Sequence, residues 1–320
     1  MSVEPFLAVD RVSKEYPLKG GGTLRAVRGV SFRQRRGETL GVVGESGCGK
    51  STLAKLILHL VPPTSGEVRV DGEALGDLSD RGLRRRRRDM QMIFQDPQAS
   101  LDPRMRVGAL LEEPLVIHRL GTRRERKRKV AELLDLVGLP DDAARRFPHE
   151  FSGGQRQRIS IARALALEPA LIVADEPVSA LDVSIQAQIL NLLVEVRRRF
   201  GLTFVFISHD LAVVRYVADR VAVMYLGEIV ELGQADEVLT RPLHPYTRTL
   251  ISAVLEPDHA GRRDRPVPKG EPPNPELIPP GCPVHPRCPA AMDRCASTAP
   301  PEIDAGPPAA PHLVRCWLQA

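Results

Sequence analysis

Residues Gly44-Glu-Ser-Gly-Cys-Gly-Lys-Ser51 fit the pattern Gly-x4-Gly-Lys-Ser, and no other stretch limits the fold of this chain as tightly. The apolar run Thr39–Val43 ahead of it reads as a buried strand, and Lys50–Leu60 reads as a helix. That strand–loop–helix setting is what the motif requires. Gly44, Gly47 and Gly49 let the backbone curl so that its N–H groups face phosphate oxygens. The helix start adds its positive dipole end. Glu45, Ser46, Cys48 and Thr52 complete the loop. Lys50 can reach the β and γ phosphates, and the Ser51 hydroxyl can ligate Mg²⁺. The chain is expected to bind a nucleoside triphosphate.

The 320 residues can hold one large domain with an extension, or two domains. Apolar residues make up 42% and charged residues 27%, the balance of a globular protein. Apolar runs such as 165–174 stop short of the roughly 18 residues that span a bilayer. No basic region followed by a hydrophobic core opens the chain, so a cytosolic protein is expected, one able to dock on membrane subunits. Net charge is +5, with basic residues bunched at Arg84–Arg88 and Arg123–Lys129. No aromatic residue interrupts either run, and aromatics are 4% of the chain, which argues against a single-strand stacking platform. Both runs read as solvated helix faces, with no nucleic-acid partner.

Residues 3–43 read as β-rich: Phe6–Val9, Leu24–Val27 and Gly29–Phe32, broken by the loop Lys19–Thr23. Gly66–Glu73 reads as a hairpin with an Asp71-Gly72 turn. Met90–Phe94 is a short apolar strand. From about 100 to 167 the pattern is helical and Arg-rich, with Val130–Val137 at helical spacing and Gly138 as a stop. Leu171–Ala174 is a buried strand closed by Asp175 and Glu176. A helix over 183–200 and a strand Thr203–Ile207 ending at His209 follow. Strands alternating with helices imply an α/β fold, a parallel sheet covered on both faces. Ligands of such sheets sit beyond the carboxyl ends of the strands, where Gly44–Ser51, Gln95, Asp175, Glu176 and His209 are expected.

Carboxylates that close an apolar strand need partners. Mg²⁺ suits Asp175, and Glu176 can polarise an attacking water as general base. His209 could hold the γ-phosphate and water in line. The order Gly44–Thr52, Gln95, Phe151-Ser-Gly-Gly-Gln155, Leu171–Glu176, Ser179-Ala-Leu-Asp182, His209 resembles an ATP-binding-cassette (ABC) ATPase. Phe151 stands where a Leu is commoner. The resemblance implies a phosphate-loop, RecA-like parallel-sheet core with an N-terminal antiparallel β subdomain and an inserted helical subdomain at about 96–167. The ATPase domain would cover 5–256.

The family resemblance also implies roles. Such ATPases dimerise head to tail, so Ser152, Gly153, Gly154 and Gln155 would meet the ATP of a partner subunit. Tyr16 would stack on adenine. Gln95 would contact Mg²⁺ or water and report the nucleotide state, and Asp182 would communicate across the dimer. Phe94–Arg104 and Arg241–Leu250, with its His-Pro-Tyr, are similar to segments of oligopeptide and dipeptide importer ATPases. Gln98 and Asp102 stand where those proteins often carry an aromatic and an Asn. Nickel importers share this branch. Expected partners are a second, often non-identical ATPase, two transmembrane permease subunits and an extracytoplasmic substrate-binding protein, at the cytoplasmic face of the membrane. Import of another cargo, export, or a non-transport ABC ATPase acting on nucleic acid or ribosomes are the alternatives.

After Glu256 the composition changes: sixteen of 29 prolines fall between Pro257 and Pro311, with Cys282, Cys288, Cys295 and Cys316 among them or just beyond. This 257–320 extension is too proline-rich for long helices or central strands. Four thiolates in a segment with little core suggest a metal staple, and Zn²⁺ or an iron–sulfur cluster accepts four cysteines. No Cys-x2-Cys pair is present, and free structural thiols are the other option. Resemblance to importer ATPases with a Gly-Cys-Pro…His-Pro-Arg-Cys-Pro…Arg-Cys tail implies a [4Fe–4S] cluster.

Overall fold

A computed structural model describes residues 4–254, 274–308 and 310–320. The expected boundary at 256/257 and the first prolines of the extension lie outside the described residues. The chain opens with β1 (Leu7–Pro17), β2 (Thr23–Gln34) and β3 (Thr39–Val43), then helix α1 (Lys50–Ile57) and the hairpin β4 (Ser65–Val70) and β5 (Glu73–Ala74). Helix α2 (Asp80–Arg86) leads into β6 (Met90–Ile93). Four helices follow: α3 (Pro97–Ser100), α4 (Val107–Ile117), α5 (Arg123–Leu136) and α6 (Gly153–Leu165). Next come β7 (Leu171–Asp175), α7 (Val183–Phe200), β8 (Thr203–Ile207), α8 (Leu211–Val217), β9 (Arg220–Tyr225), β10 (Glu228–Gln234), α9 (Ala235–Thr240) and α10 (Pro245–Val254). Two short strands close the chain, β11 (Ile303–Asp304) and β12 (Leu313–Val314).

The described residues divide into two compact units. The first takes those up to Arg35, Thr39–Gly76 and from Ile207 onward. It holds an antiparallel sheet in the order β2-β1-β4-β5 and a run of strands β11-β12-β10-β9-β3. Only β3 and β9 run parallel in that second set, with Val42 opposite Ala222. The expected strands Leu24–Val27 and Gly29–Phe32 are one strand, β2, whose irregular register against β1 absorbs Gly29. At the β4–β5 turn, Asp71 and Gly72 both have positive φ, 55° and 78°, the conformation that favours Asp-Gly in tight hairpins. Helix α1 stops at Ile57, one turn before the expected Leu60. His59 adopts φ 49°, the Leu60 N–H returns to the Lys55 carbonyl at 2.8 Å, and Pro62-Pro63 follows.

The second unit, Arg36–Glu38 and Asp77–Phe206, carries the strands β8-β7-β6 and the helices α2 to α7. β6 and β7 are parallel, Met92 opposite Val173. All five residues of β7 are buried, so the strand is covered on both faces. Val130, Leu133 and Leu134 form the buried stripe of α5, and Leu110, Leu111 and Leu115 that of α4. Arg163 of α6 ties the helical stretch together, donating to the Ser100 carbonyl and to Glu113, both at 2.6 Å. The basic run Arg123–Lys129 lies on α5 and is mostly exposed. Among the described residues no helix is long and apolar enough to cross a membrane.

Candidate functional site

The phosphate loop follows β3 directly, in the first unit. Its shape requires glycine at both ends. Gly44 has φ 156°, and a Cβ there would lie 2.1 Å from the Met224 carbonyl oxygen; Gly49 has φ 105°, with a Cβ 2.1 Å from the Ala26 carbonyl oxygen. The loop is therefore seated between β2 and β9 and can hold no side chain at either point. Gly49 caps α1, which puts the first N–H groups of the helix at the loop. Lys50 is buried and folds back over the loop, donating to the carbonyls of Gly44 at 2.7 Å and Glu45 at 2.9 Å. Those two carbonyls hold the ammonium over the loop. Cys48 is buried beneath it, and burial raises its thiol pKa against the pull of Lys50. Ser51 is exposed at the helix start and Thr52 half-buried.

Two further expected residues belong to this unit. His209 is exposed, two residues past the end of β8; Ser208 is buried, and Asp210 caps α8 by accepting from the Ala212 and Val213 N–H groups. Tyr16 lies on β1 and half-buried, with the Lys14 ammonium 5.3 Å from its ring centroid.

The second unit brings Gln95, Asp175 and Glu176 to the ends of the neighbouring parallel strands β6 and β7. Gln95 Nε2 donates to Glu176 Oε2 at 3.1 Å, and Asp175 is buried. Glu176 has φ 47°, a left-handed conformation that an L-residue with a Cβ adopts at a cost. The loop after it is fixed from α7: Gln186 Nε2 donates to the carbonyls of Val178 at 3.1 Å and Leu181 at 2.9 Å, and Ser179 Oγ donates to the Glu176 carbonyl. Asp182 sits exposed at the start of α7.

Ser152-Gly-Gly-Gln155 opens α6 as a complete capping box. Ser152 Oγ accepts the Gln155 N–H at 3.3 Å, and Gln155 Oε1 accepts the Ser152 N–H at 3.0 Å. The two glycines differ. A Cβ on Gly153 would rest 3.6 Å from Leu181, whereas one on Gly154 would lie 2.4 Å from Ile185 Cγ2. Gly154 is thus required by the packing of α6 on α7, a demand that reading the motif for phosphate approach alone does not include.

Sequence reasoning missed the partners of Glu45. Its N–H donates to the Tyr246 hydroxyl at 3.0 Å, and its carboxylate takes two N–H groups of Arg287 at 2.8 and 3.1 Å. Tyr246 and Arg287 stand in the His-Pro-Tyr and His-Pro-Arg-Cys stretches already singled out, 201 and 242 residues from Glu45. The four tail cysteines also gather in this unit. Cys282, Cys295 and Cys316 are buried and Cys288 is half-buried. The Cys282 N–H donates to the Cys295 carbonyl at 2.8 Å, an approach that leaves no room for a Cβ on Gly281. Burial pushes the Cys282 thiol up to about 11, with Cys295, Cys288 and Cys316 adding to the rise. A set of four cysteines suits zinc or an iron–sulfur cluster. Even so, among the described residues no three His, Cys, Asp or Glu side chains are spaced to hold a metal ion.

Residues 27–179 match the family model of the ABC transporter, and residues 230–295 match that of the oligopeptide/dipeptide transporter C-terminal region. The oligopeptide transport ATP-binding protein AppF of Bacillus subtilis is 50% identical over 324 residues, 98% of each chain. A Brucella ovis protein provisionally named a peptide import ATP-binding protein is 52% identical over 300 residues, 94% of each chain. Among solved structures, the ATP-binding cassette MJ0796, a dimer in a post-hydrolysis state with ADP and phosphate, aligns at TM-score 0.66 and 33% identity over 72% of this chain and 98% of its own. This chain belongs to the ABC transporter family, in the branch whose members carry the oligopeptide/dipeptide transporter C-terminal region.

Proposed function

We propose that this chain is the ATP-hydrolysing subunit of an ABC importer that takes up di- and oligopeptides. The observation that carries the reading is the pairing of an intact phosphate loop with the oligopeptide/dipeptide transporter C-terminal region in one chain. In this reading Gly44–Thr52 wraps the phosphates, Lys50 leaves its two carbonyls for the β and γ phosphates, and Ser51 and Asp175 ligate Mg²⁺. Glu176 accepts a proton from the attacking water, and Gln95, already bonded to Glu176, orients that water or the Mg²⁺. His209 holds the γ-phosphate, and Tyr16 stacks on adenine. Ser152, Gly153, Gly154 and Gln155 meet the nucleotide of a second ATPase subunit, the free N–H groups at the start of α6 facing its γ-phosphate, and Asp182 communicates across that dimer.

The ATPase portion covers 5–256 and the extension 257–320. Two permease subunits and an extracytoplasmic binding protein complete the importer, which places this chain at the cytoplasmic face of the membrane. Uptake of labelled peptides by a strain lacking the native protein is expected to return with the wild-type chain and not with Lys50→Ala. Nickel uptake restored in place of peptide uptake would move the cargo to the metal branch.

The same reading gives Cys282, Cys288, Cys295 and Cys316 a [4Fe–4S] cluster, with zinc as the alternative. Three buried cysteines and the half-buried Cys288 in one unit support it, and the spacing noted above counts against it. When bound, such a group supplies a staple for a proline-rich segment and a one-electron redox centre. Protein purified without oxygen is expected to carry iron and acid-labile sulfide at about four each per chain, lost in Cys288→Ser. Absence of both metals from wild-type protein would overturn the assignment.

A further inference from the structure

Glu45 occupies the second position of the phosphate loop, where backbone direction decides which N–H groups can face a phosphate. Two distant segments hold it. The Tyr246 hydroxyl accepts its N–H at 3.0 Å, and the Arg287 guanidinium grips its carboxylate through two parallel bonds. The Arg287 side chain is 8% exposed and that of Glu45 24%, so this pair is shielded from solvent in a way surface ion pairs are not.

Both holders are themselves anchored. Tyr246 is buried, its ring packs edge-on against Tyr225 at 4.6 Å, and its N–H donates to His244 Nδ1 at 3.0 Å. The N–H groups of Leu243 and His244 donate to the Glu231 carboxylate on β10, which is fully buried and also bonded to His312 Nε2 at 2.7 Å. Arg287 ends a short 3-10 turn, its N–H donating to the Val284 carbonyl, and that turn lies between Cys282 and Cys288. Its guanidinium faces the Tyr225 hydroxyl without reaching a full hydrogen bond.

We propose that Arg287 and Tyr246 are positioning residues of the phosphate loop: Tyr246 on α10 and Arg287 in the C-terminal extension together set ATP affinity by clamping Glu45. The proposal rests on the reading of Gly44–Thr52 as the ATP site and adds to it a dependence on the order of the 282–288 turn. Arg287 acts through Glu45 and not on the phosphates, which separates this role from that of Lys50.

A double-mutant cycle on the purified full chain tests it, with ATP binding and steady-state hydrolysis read for Arg287→Ala, Glu45→Gln and the double variant. Each single change is expected to raise KM for ATP by about tenfold with kcat within about twofold, the signature of lost ground-state binding. The double variant is expected to be no worse than the worse single, since both remove the same contact. Arg287→Lys, which keeps the charge but not the fork, should recover only part of the affinity. Backbone amide exchange at residues 44–49 should quicken in Arg287→Ala without nucleotide. If that variant does not fold, Tyr246→Phe, which removes only the accepting hydroxyl, carries the same expectation. Unchanged KM in these variants, or effects that multiply in the double, would overturn the clamp. A Lys50→Ala variant that still bound ATP would instead sink the site reading beneath it.

Discussion

Gly154 shows how one residue can answer to two demands. Its missing Cβ keeps α6 against α7, because a methyl group would sit 2.4 Å from Ile185 Cγ2. Gly154→Ala is expected to cost about 1–3 kcal/mol of stability, as overpacking does, in a urea melt without nucleotide, whereas Gly153→Ala, with 3.6 Å of room, should change little. Equal melts for the two would contradict the packing role. The candidate site residues could be proposed from the sequence because a short spacing marks them: Gly-x4-Gly-Lys-Ser can be read without knowing what packs around it, and so can a carboxylate pair closing an apolar strand. The clamp on Glu45 was not, since Tyr246 and Arg287 meet it only through folding, and nothing local marks a tyrosine hydroxyl as the acceptor of a loop N–H. The strained φ of Glu176 was equally invisible, being imposed by the turn out of β7 rather than by its own preference.

At the scale of elements, legibility followed the strength of local signals. Helix α7 spans 183–200 as its periodicity predicts, stopped by Gly201 at φ 62°. Helix α5 begins about two turns before its apolar stripe, because Thr122 and Glu125 form a capping box at the start of the basic run Arg123–Lys129. Replacing Thr122 by Ala should lower stability by about 1 kcal/mol, measurable by denaturant titration. The hairpin β9–β10 was not read from the sequence. Nearly every residue in it is buried, so no alternation shows, and its turn, Leu226-Gly227, lacks the Asn-Gly or Asp-Gly signal.

The His-Pro-Tyr segment carries a pH dependence. Burial lowers the His244 pKa from 6.5 to about 4, against the opposing pull of Glu231, with Arg248 also lowering it. Between those values the unfolded chain binds a proton that the folded chain refuses, so stability falls as pH drops from 6.5 toward 4 and this contribution vanishes above 6.5. His244→Asn should flatten that slope by about one proton relative to wild type, read from urea midpoints across the range. A variant as acid-sensitive as the wild type would show His244 to be protonated in the fold.

Across the whole molecule, the phosphate loop and the family match fit a chain that hydrolyses ATP to drive import. The His-Pro-Tyr segment and the 282–288 turn of the extension both reach the phosphate loop through Glu45, so each is physically linked to that loop in this chain. Hydrolysis is the sharper test. The most direct measurement is ATP turnover by the purified chain beside its Glu176→Gln variant, with ATP binding measured in parallel. Binding is expected to survive while kcat falls by about 100-fold or more, the share a positioned general base supplies. Near-normal hydrolysis in Glu176→Gln, or a wild-type chain that binds ATP and never turns it over, would contradict it.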